Sequence, residues 1–462
     1  MEKRNLREKS RMRLNQFIQT LREEIRSGQR KAGDYLPSEK AFAEQYSLSN
    51  QTVRKGLDVL VSEKLIAKIP RVGTKVLGPS DDTGVTVKLG FHPSVTREAD
   101  LEQLLALFHK KFPAIRVQMV PVSSKNYEYL HHYLTGGIID AAMMNYTNFQ
   151  ELQEKSHIDL LAPLKREEDI YSFLSDAFTV NGSLLAQPFI FSPLILCYNR
   201  EHFRDTGIPE PDSSWQWPDL LNYAARLAVP GERLGFHGDL LSYHRWPLFL
   251  LQSGLSFERS KDGRIRLAGT KMMEAIRNCG TMLRDIPHLF TGVTTGESER
   301  MLAKGQASII LTSYFYLNYL SEEPLSFDVA PVPHLGTPMT LLLNTGLAVS
   351  GRSPVKEAAV QLVEFLTSSE AQLVIRRQTY SLPARKSAAE WIGEESKSAP
   401  SRFSLFRETI PGFRYFTDLS LTATELTALG EELKLFWAGL ANEEAFCRQV
   451  EQVGQRLPPP EL

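Results

Sequence analysis

Two sets of residues in this 462-residue chain have types and spacings that could do chemistry. The first is the run Ser49-Asn50-Gln51-Thr52-Val53-Arg54-Lys55. Its amides and hydroxyls can bond base edges, and its arginine and lysine can meet phosphates. Val53, Leu57, Leu60 and Val61 recur at i, i+4, i+7 and i+8, the spacing of one buried helix stripe, which leaves the polar first turns free to meet a ligand. The second set is dispersed: Ser94, Asn145, Tyr146, Ser192, Tyr243, Trp246, Tyr314 and Asn344. An aromatic face covers the C–H side of a sugar while hydroxyls and amides bond its edge, so these residues suit a polar, ring-shaped solute. Taken singly, each tyrosine or tryptophan is more often core than contact.

No catalytic spacing accompanies them. There is no His-Glu-x-x-His, no Gly-x-Ser-x-Gly and no phosphate-cradling Gly-x-x-x-x-Gly-Lys-Ser/Thr, since Gly292-Val293-Thr294-Thr295-Gly296 has no following lysine. His131 and His132 are adjacent in a helical pattern, which points their rings apart and disfavours a shared metal. Cys197, Cys279 and Cys447 lie far apart and read as buried thiols. The expectation is a protein that binds rather than catalyses, with no cofactor and no metal.

The elements that must position the first set can be read around it. Ser38, in Leu36-Pro37-Ser38-Glu39-Lys40-Ala41-Phe42-Ala43, would cap one short helix and Ser49 a second. A turn through Ser47 and Leu48 makes the pair a helix-turn-helix, whose second helix enters the major groove by its N-terminal end. Residues 11 to 27 place Leu14, Phe17, Ile18, Leu21 and Ile25 at helical spacing, with Gly28 as the stop. Leu65 to Ile69 and Thr74-Lys75-Val76 alternate enough to form a β-ribbon turning near Pro70 to Gly73, a wing. Lys40, Ser49, Asn50, Gln51, Thr52, Arg54, Arg71, Gly73 and Thr74 are the candidate DNA contacts. Over about 65 residues the stretch resembles the GntR family of winged-helix regulators in its Leu-Pro-Ser-Glu, Thr-Val-Arg, Leu-Ile and Gly-Thr pieces. It departs from that pattern at Lys40, Asn50, Lys64 and Arg71. The resemblance implies a transcription regulator that binds double-stranded operator DNA as a homodimer.

Charge supports the division. Residues 1 to 79 carry 17 Lys and Arg against 9 Asp and Glu, leaving 36 against 45 for the remainder, so a basic head precedes an acidic body. The N-terminus is charged throughout and lacks the apolar core of a signal peptide, and no apolar run reaches membrane-spanning length, so a cytoplasmic protein without membrane contact is expected. The turn-rich stretch after Val76 sets the boundaries: a head over residues 1–78, a linker over 79–84 and a body over 85–462.

In the body, strand patterns at Val85 to Phe91, Ile115 to Val122 and Ile138 to Met144 alternate with helical ones at Leu101 to Phe112 and Asn126 to Leu134. That alternation implies an α/β fold with a mostly parallel sheet and ligand sites at the strands' carboxyl ends, here His92-Pro93-Ser94 and Asn145-Tyr146-Thr147. Asn181-Gly182 marks a hairpin. From Tyr198-Asn199-Arg200-Glu201-His202-Phe203, Gly207-Ile208-Pro209-Glu210-Pro211 and Trp215-Gln216-Trp217-Pro218-Asp219-Leu220 onward, the chain resembles the type 1 extracellular solute-binding proteins, the maltose-binding group. Met301 to Ser308, Val329 to Pro333 and Gly346 to Ser350 follow in the same order. This likeness, over about 370 residues, implies a two-lobe periplasmic-binding-protein-like fold of class II. Its first lobe would span about 85–189 and 336–375, and its second about 193–328 and 380–462. It also implies that Tyr243, Trp246 and Tyr314 are aromatic ligand contacts and that the effector is a small solute, a sugar or oligosaccharide. Two other readings stand beside it. One is a GntR-type regulator with an aminotransferase-like pyridoxal-phosphate domain, its lysine at Lys397; the other is a transporter-type receptor.

Overall fold

The computed structural model describes residues 14–453 except 15–16, 19, 23, 26–28, 32, 47, 63–64, 70–72, 78–83, 123–126, 285, 287–293, 321–324 and 394–399. It divides into two compact units near Val85. Residues 79–83 of the expected linker and the wing residue Arg71 fall outside the described residues, as do Gly28 and Lys397.

The smaller unit opens with helix α1, whose described residues between 14 and 25 bury Phe17, Leu21 and Ile25. Helices α2 (Glu39–Tyr46) and α3 (Asn50–Ser62) follow, then the antiparallel ribbon β1 (Ile66–Ile69) and β2 (Gly73–Val76). Both capping serines act as their positions dictate: Ser38 Oγ accepts from the Ala41 amide at 3.2 Å and Ser49 Oγ from the Thr52 amide at 3.1 Å. Val53, Leu57 and Leu60, the stripe legible in the sequence, close a core with Phe17, Phe42, Ile66 and Val76. At Gly56 an added Cβ would lie 2.7 Å from the Phe17 ring, so α1 and α3 approach each other through the missing side chain.

The larger unit is built on one ten-stranded sheet. Strand β3 (Val85–Phe91) lies between β4 (Ile115–Pro121) and β5 (Ala141–Asn145), and β3 pairs parallel to β5. Helices α4 (Ser94–Glu98), α5 (Leu101–Lys111), α6 (Tyr127–Thr135) and α7 (Tyr146–Glu154) connect or follow these strands. The hairpin β6 (Thr179–Val180) to β7 (Ser183–Leu184) turns at Asn181 and Gly182, both at positive φ as an Asn-Gly turn requires. Strand β8 (Gln187–Asn199) is buried along all thirteen residues.

Beyond it come β9 (Leu234–His237), the small antiparallel pair β10 (Glu258–Arg259) and β11 (Ile265–Arg266), then β12 (Ala307–Ser313), β13 (Phe327–Pro331) and β14 (Thr340–Val349). Short β15 (Leu382–Pro383) and β16 (Phe413–Arg414) join β8 and β14. The sheet order is β4-β3-β5-β14-β8-β12-β9, with β13 also paired to β8.

The sheet is mixed where the alternation of elements predicts mostly parallel. Among the described residues β3 with β5, β9 with β12 and the short β16 with β14 run parallel; β8 is antiparallel to β12, β13 and β14. The reason is connectivity. Residues 187–193 of β8 pair with β14 and residues 194–199 with β12 and β13, so β8 carries the chain from one half to the other. A strand that returns beside an outgoing one must oppose it.

Each half has its own apolar core. One gathers Leu130, Ile139, Met144, Phe149, Phe178 and Leu184, and another gathers Leu196, Trp217, Phe249, Ile276, Leu429 and Trp437. A third, with Phe191, Ile310, Tyr314, Val329 and Phe406, packs around the crossing strands. The three cysteines are buried and free, as their spacing suggests. Among the described residues no helix is long and apolar enough to cross a membrane.

Candidate functional site

On the smaller unit the start of α3 presents Asn50, Gln51 and Arg54 at the surface, with Thr52 half-buried and Ser49 exposed as the cap. Burial of Val53 on the opposite face fixes this orientation, because the two faces of one turn cannot both enter the core. Lys40 is exposed on α2, Gly73 is exposed on β2 and Thr74 beside it is half-buried. Arg54 is not a free cation. Its Nη2 lies 2.8 Å from Glu39 Oε2 and its Nε 3.2 Å from both carboxylate oxygens. The hydrogen bond from Arg54 holds the Glu39 carboxyl below its usual range. A bidentate clamp of this kind sets the direction of the guanidinium while leaving it solvent-exposed.

In the larger unit a cavity of about 140 Å³, measured as volume open to water centres, lies at the carboxyl ends of β3 and β5. One wall is Ser94 and Glu98 of α4 with Asn145, Tyr146 and Asn148; the other is Tyr243, His244, Arg245 and Tyr316, with Asn344 of β14 between.

Most polar groups there are already engaged. Ser94 Oγ and His92 Nδ1 are 2.8 Å apart. Asn145 caps α7 by accepting from the Asn148 amide at 2.8 Å. The Tyr146 hydroxyl is 3.1 Å from Thr417 Oγ1, its ring centroid is 4.2 Å from that of Tyr415, and burial pushes its phenol up to about 12. The Tyr243 ring centroid lies 3.7 Å from that of His244. Asn344 Nδ2 donates to the Tyr415 hydroxyl at 3.1 Å while its Oδ1, buried, has no partner among the described residues.

Five of the eight expected contacts thus meet at one cavity: Ser94, Asn145, Tyr146, Tyr243 and Asn344. Ser192, Trp246 and Tyr314 do not line it. Trp246 is 1% exposed in the apolar core and packs so closely on the helix Ala423–Trp437 that a Cβ on Gly430 would come within 2.7 Å of its Nε1. Tyr314 is wholly buried, donating to the Phe403 carbonyl at 3.0 Å with its ring against Phe403 and Phe406. Ser192 is also wholly buried, accepting from the Tyr314 amide at 2.7 Å, a brace between β8 and the end of β12. The two rings fill the core, and the Tyr314 and Ser192 hydroxyls are bonded inside it.

Glu98 and Arg245 escape a reading that looks for rings and amides, and Tyr316 is a ring that reading passed over. Glu98 follows Ser94 by four residues, one turn of α4, and shares its face. Arg245 stands between Tyr243 and Trp246 immediately before an apolar helix, where a charge is out of place. Burial pushes the Glu98 carboxyl up to about 7 against the opposing hydrogen bond from Ser94. Burial also raises Glu299 behind the wall, whose carboxylate accepts a hydrogen bond from Thr312 Oγ1 and feels the charge of Arg245.

Comparison with known proteins follows the same division. Residues 14–76 match the bacterial regulatory proteins of the gntR family, and residues 103–404 match the bacterial extracellular solute-binding proteins. The binding protein BAB2_0491 of Brucella abortus is 23% identical over 277 residues, 57% of this chain and 67% of its own length. The sn-glycerol-3-phosphate-binding periplasmic protein UgpB of Escherichia coli K12 is 31% identical over 94 residues, 20% of this chain and 21% of UgpB. Among solved structures, the substrate-binding protein Lmo0181 of Listeria monocytogenes in complex with cycloalternan superposes with a TM-score of 0.67 at 18% identity, covering 81% of this chain and 99% of that one. Maltose-bound MalE3 of T. maritima gives 0.66 at 17%, over 81% and 100%. These neighbours show a two-lobe maltose-binding-like fold, not an aminotransferase domain. The chain belongs to the bacterial extracellular solute-binding protein family and carries a gntR-family DNA-binding domain ahead of its solute-binding body.

Proposed function

We propose that this protein is a transcription regulator that acts by binding alone: α3 reads operator DNA and a sugar or oligosaccharide in the larger unit adjusts that reading. One observation carries the proposal, the presence in a single chain of an exposed, polar helix start and a cavity walled by hydroxyls, amides and aromatic rings. The structural neighbours solved with cycloalternan and maltose, and the relative named for glycerol 3-phosphate, support a polyhydroxylated ligand. DNA recognition requires the chain to be where DNA is, hence the cytoplasm. One winged helix covers a half-site, so a homodimer on a pseudo-palindrome with half-sites about 34–36 Å apart is the expected complex.

The test pairs two assays on full-length protein. A thermal-shift panel of mono- and oligosaccharides should find a stabilising ligand, since a ligand bound only by the native state raises its apparent stability. A gel shift on duplexes selected in vitro should give a two-half-site footprint that the same sugar alters. Sugar binding with no DNA complex at low salt would contradict the regulator; a DNA complex indifferent to every stabilising sugar would contradict the sensor.

A further inference from the structure

Arg245 is the least satisfied charge on the cavity wall. It is 8% exposed, its Nε is buried without a partner, and the only hydrogen bond of its side chain among the described residues is a long one, 3.5 Å from Nη1 to Ser242 Oγ. Its Cζ lies 5.4 Å from the centroid of Tyr316, a contact with the ring face and not with a counter-ion. Arg245 forms no ion pair among the described residues; the carboxylate that feels its charge, Glu299, is turned to Thr312 Oγ1. Burying a guanidinium without an anion is unfavourable, and a fold tolerates such a group where a ligand completes it. Ser94, Asn145 and Tyr146 on the same wall system are capped or paired, whereas Arg245 has spare donors.

We propose that Arg245 binds an acidic group on the solute, a carboxylate or phosphate borne by a sugar or polyol. This deepens the sugar-sensing proposal and rests on it. Guanidinium offers a planar fork that matches either oxyanion through two parallel hydrogen bonds, which a hydroxyl cannot equal. Nε is buried without a partner and Nη1 makes only the long bond to Ser242, so the guanidinium keeps donors for such a fork. Glu98 faces the same cavity from α4, and in its protonated form it donates to the acidic group instead of repelling it. The orphaned Asn344 Oδ1 accepts from a hydroxyl of the same solute. Together these groups read a molecule with one anionic end and a hydroxylated remainder.

The experiment is isothermal titration of the full-length protein at pH 7 and fixed salt with glucose, maltose, glucuronate, glucose 6-phosphate and inorganic phosphate. Expected is tighter binding of an acidic sugar than of glucose by roughly 10- to 100-fold, the range of a charge-assisted hydrogen-bond pair. Arg245→Gln should collapse that ratio toward one, and Arg245→Lys should keep part of it, with melting curves confirming that both variants fold. Glucuronate binding without glucose 6-phosphate or phosphate identifies a carboxylate, and the converse a phosphate. Glucose or maltose bound as tightly as both acidic sugars overturns the inference and leaves sugar sensing standing. An acidic preference unchanged in Arg245→Gln also overturns it. Binding by none of the five overturns both.

Discussion

At the scale of single residues the account turns on Glu98, Arg245 and the rings that stand behind the cavity. Glu98 has an ordinary carboxyl pKa when the chain is unfolded and one near 7 when folded, raised by burial. The folded state therefore holds the proton longer. Below the unfolded pKa both states are protonated and nothing is lost; as pH rises toward 7 the unfolded state ionises first and stability falls, by about 3 kcal/mol in all. Glu98→Gln should abolish that part of the slope, read as denaturant midpoints between pH 4.5 and 8; parallel curves for both proteins would refute the assignment.

The same proton governs the acidic ligand. His92, His244 and Tyr316 line this space and Glu299 lies behind its wall. Affinity for an acidic sugar should fall as pH rises through about 7, and Glu98→Gln should flatten the curve. Trp246→Ala and Tyr314→Ala belong to a different class. Both rings are core, so each should cost about 3–5 kcal/mol of stability, and a loss of ligand binding alone with an unchanged melting temperature would return them to the cavity wall.

At the scale of elements, the sequence carried the helices and strands better than the cavity, for a physical reason. A stripe such as Val53, Leu57 and Leu60, a cap such as Ser49 or an Asn181-Gly182 turn is enforced by residues a few positions away, so periodicity reveals it. The cavity wall joins α4, α7, the 243–245 loop and β14, over 200 residues apart, and which ring points in is decided by packing that no local pattern records. Hence Tyr243 lines the cavity while Trp246, three residues on, is held against Gly430 in the core. Parallel strands were legible from the alternation of elements; the antiparallel crossing of β8 and β14 depends on a partner more than 140 residues away. For the DNA-facing helix, Ser49→Ala should cost about 1 kcal/mol, because the Thr52 amide loses its acceptor. Arg54→Ala should weaken operator binding at fixed salt without changing solute affinity, and Glu39→Ala should release Arg54 and flatten the orientation-dependent part of that binding. Equal gel-shift midpoints for Arg54→Ala and wild type would remove Arg54 from the interface.

At the scale of the whole molecule, the proposed DNA site lies in the basic head and the proposed solute site in the acidic body. A solute can change DNA affinity only by binding better to the arrangement that holds DNA, or to the one that does not. The coupling must then be reciprocal: whatever factor the solute applies to operator affinity, the operator applies to solute affinity, typically about 5- to 150-fold. Lengthening the segment between the units with Gly-Ser residues should reduce this factor while leaving the affinity of each unit for its own ligand in place. The most direct measurement is therefore a thermodynamic square on the full-length protein, titrating the selected operator duplex with and without saturating sugar, and the sugar with and without saturating operator, at one salt concentration. The account predicts two factors that differ from one and agree with each other. Two factors of one, with both ligands bound, would contradict it.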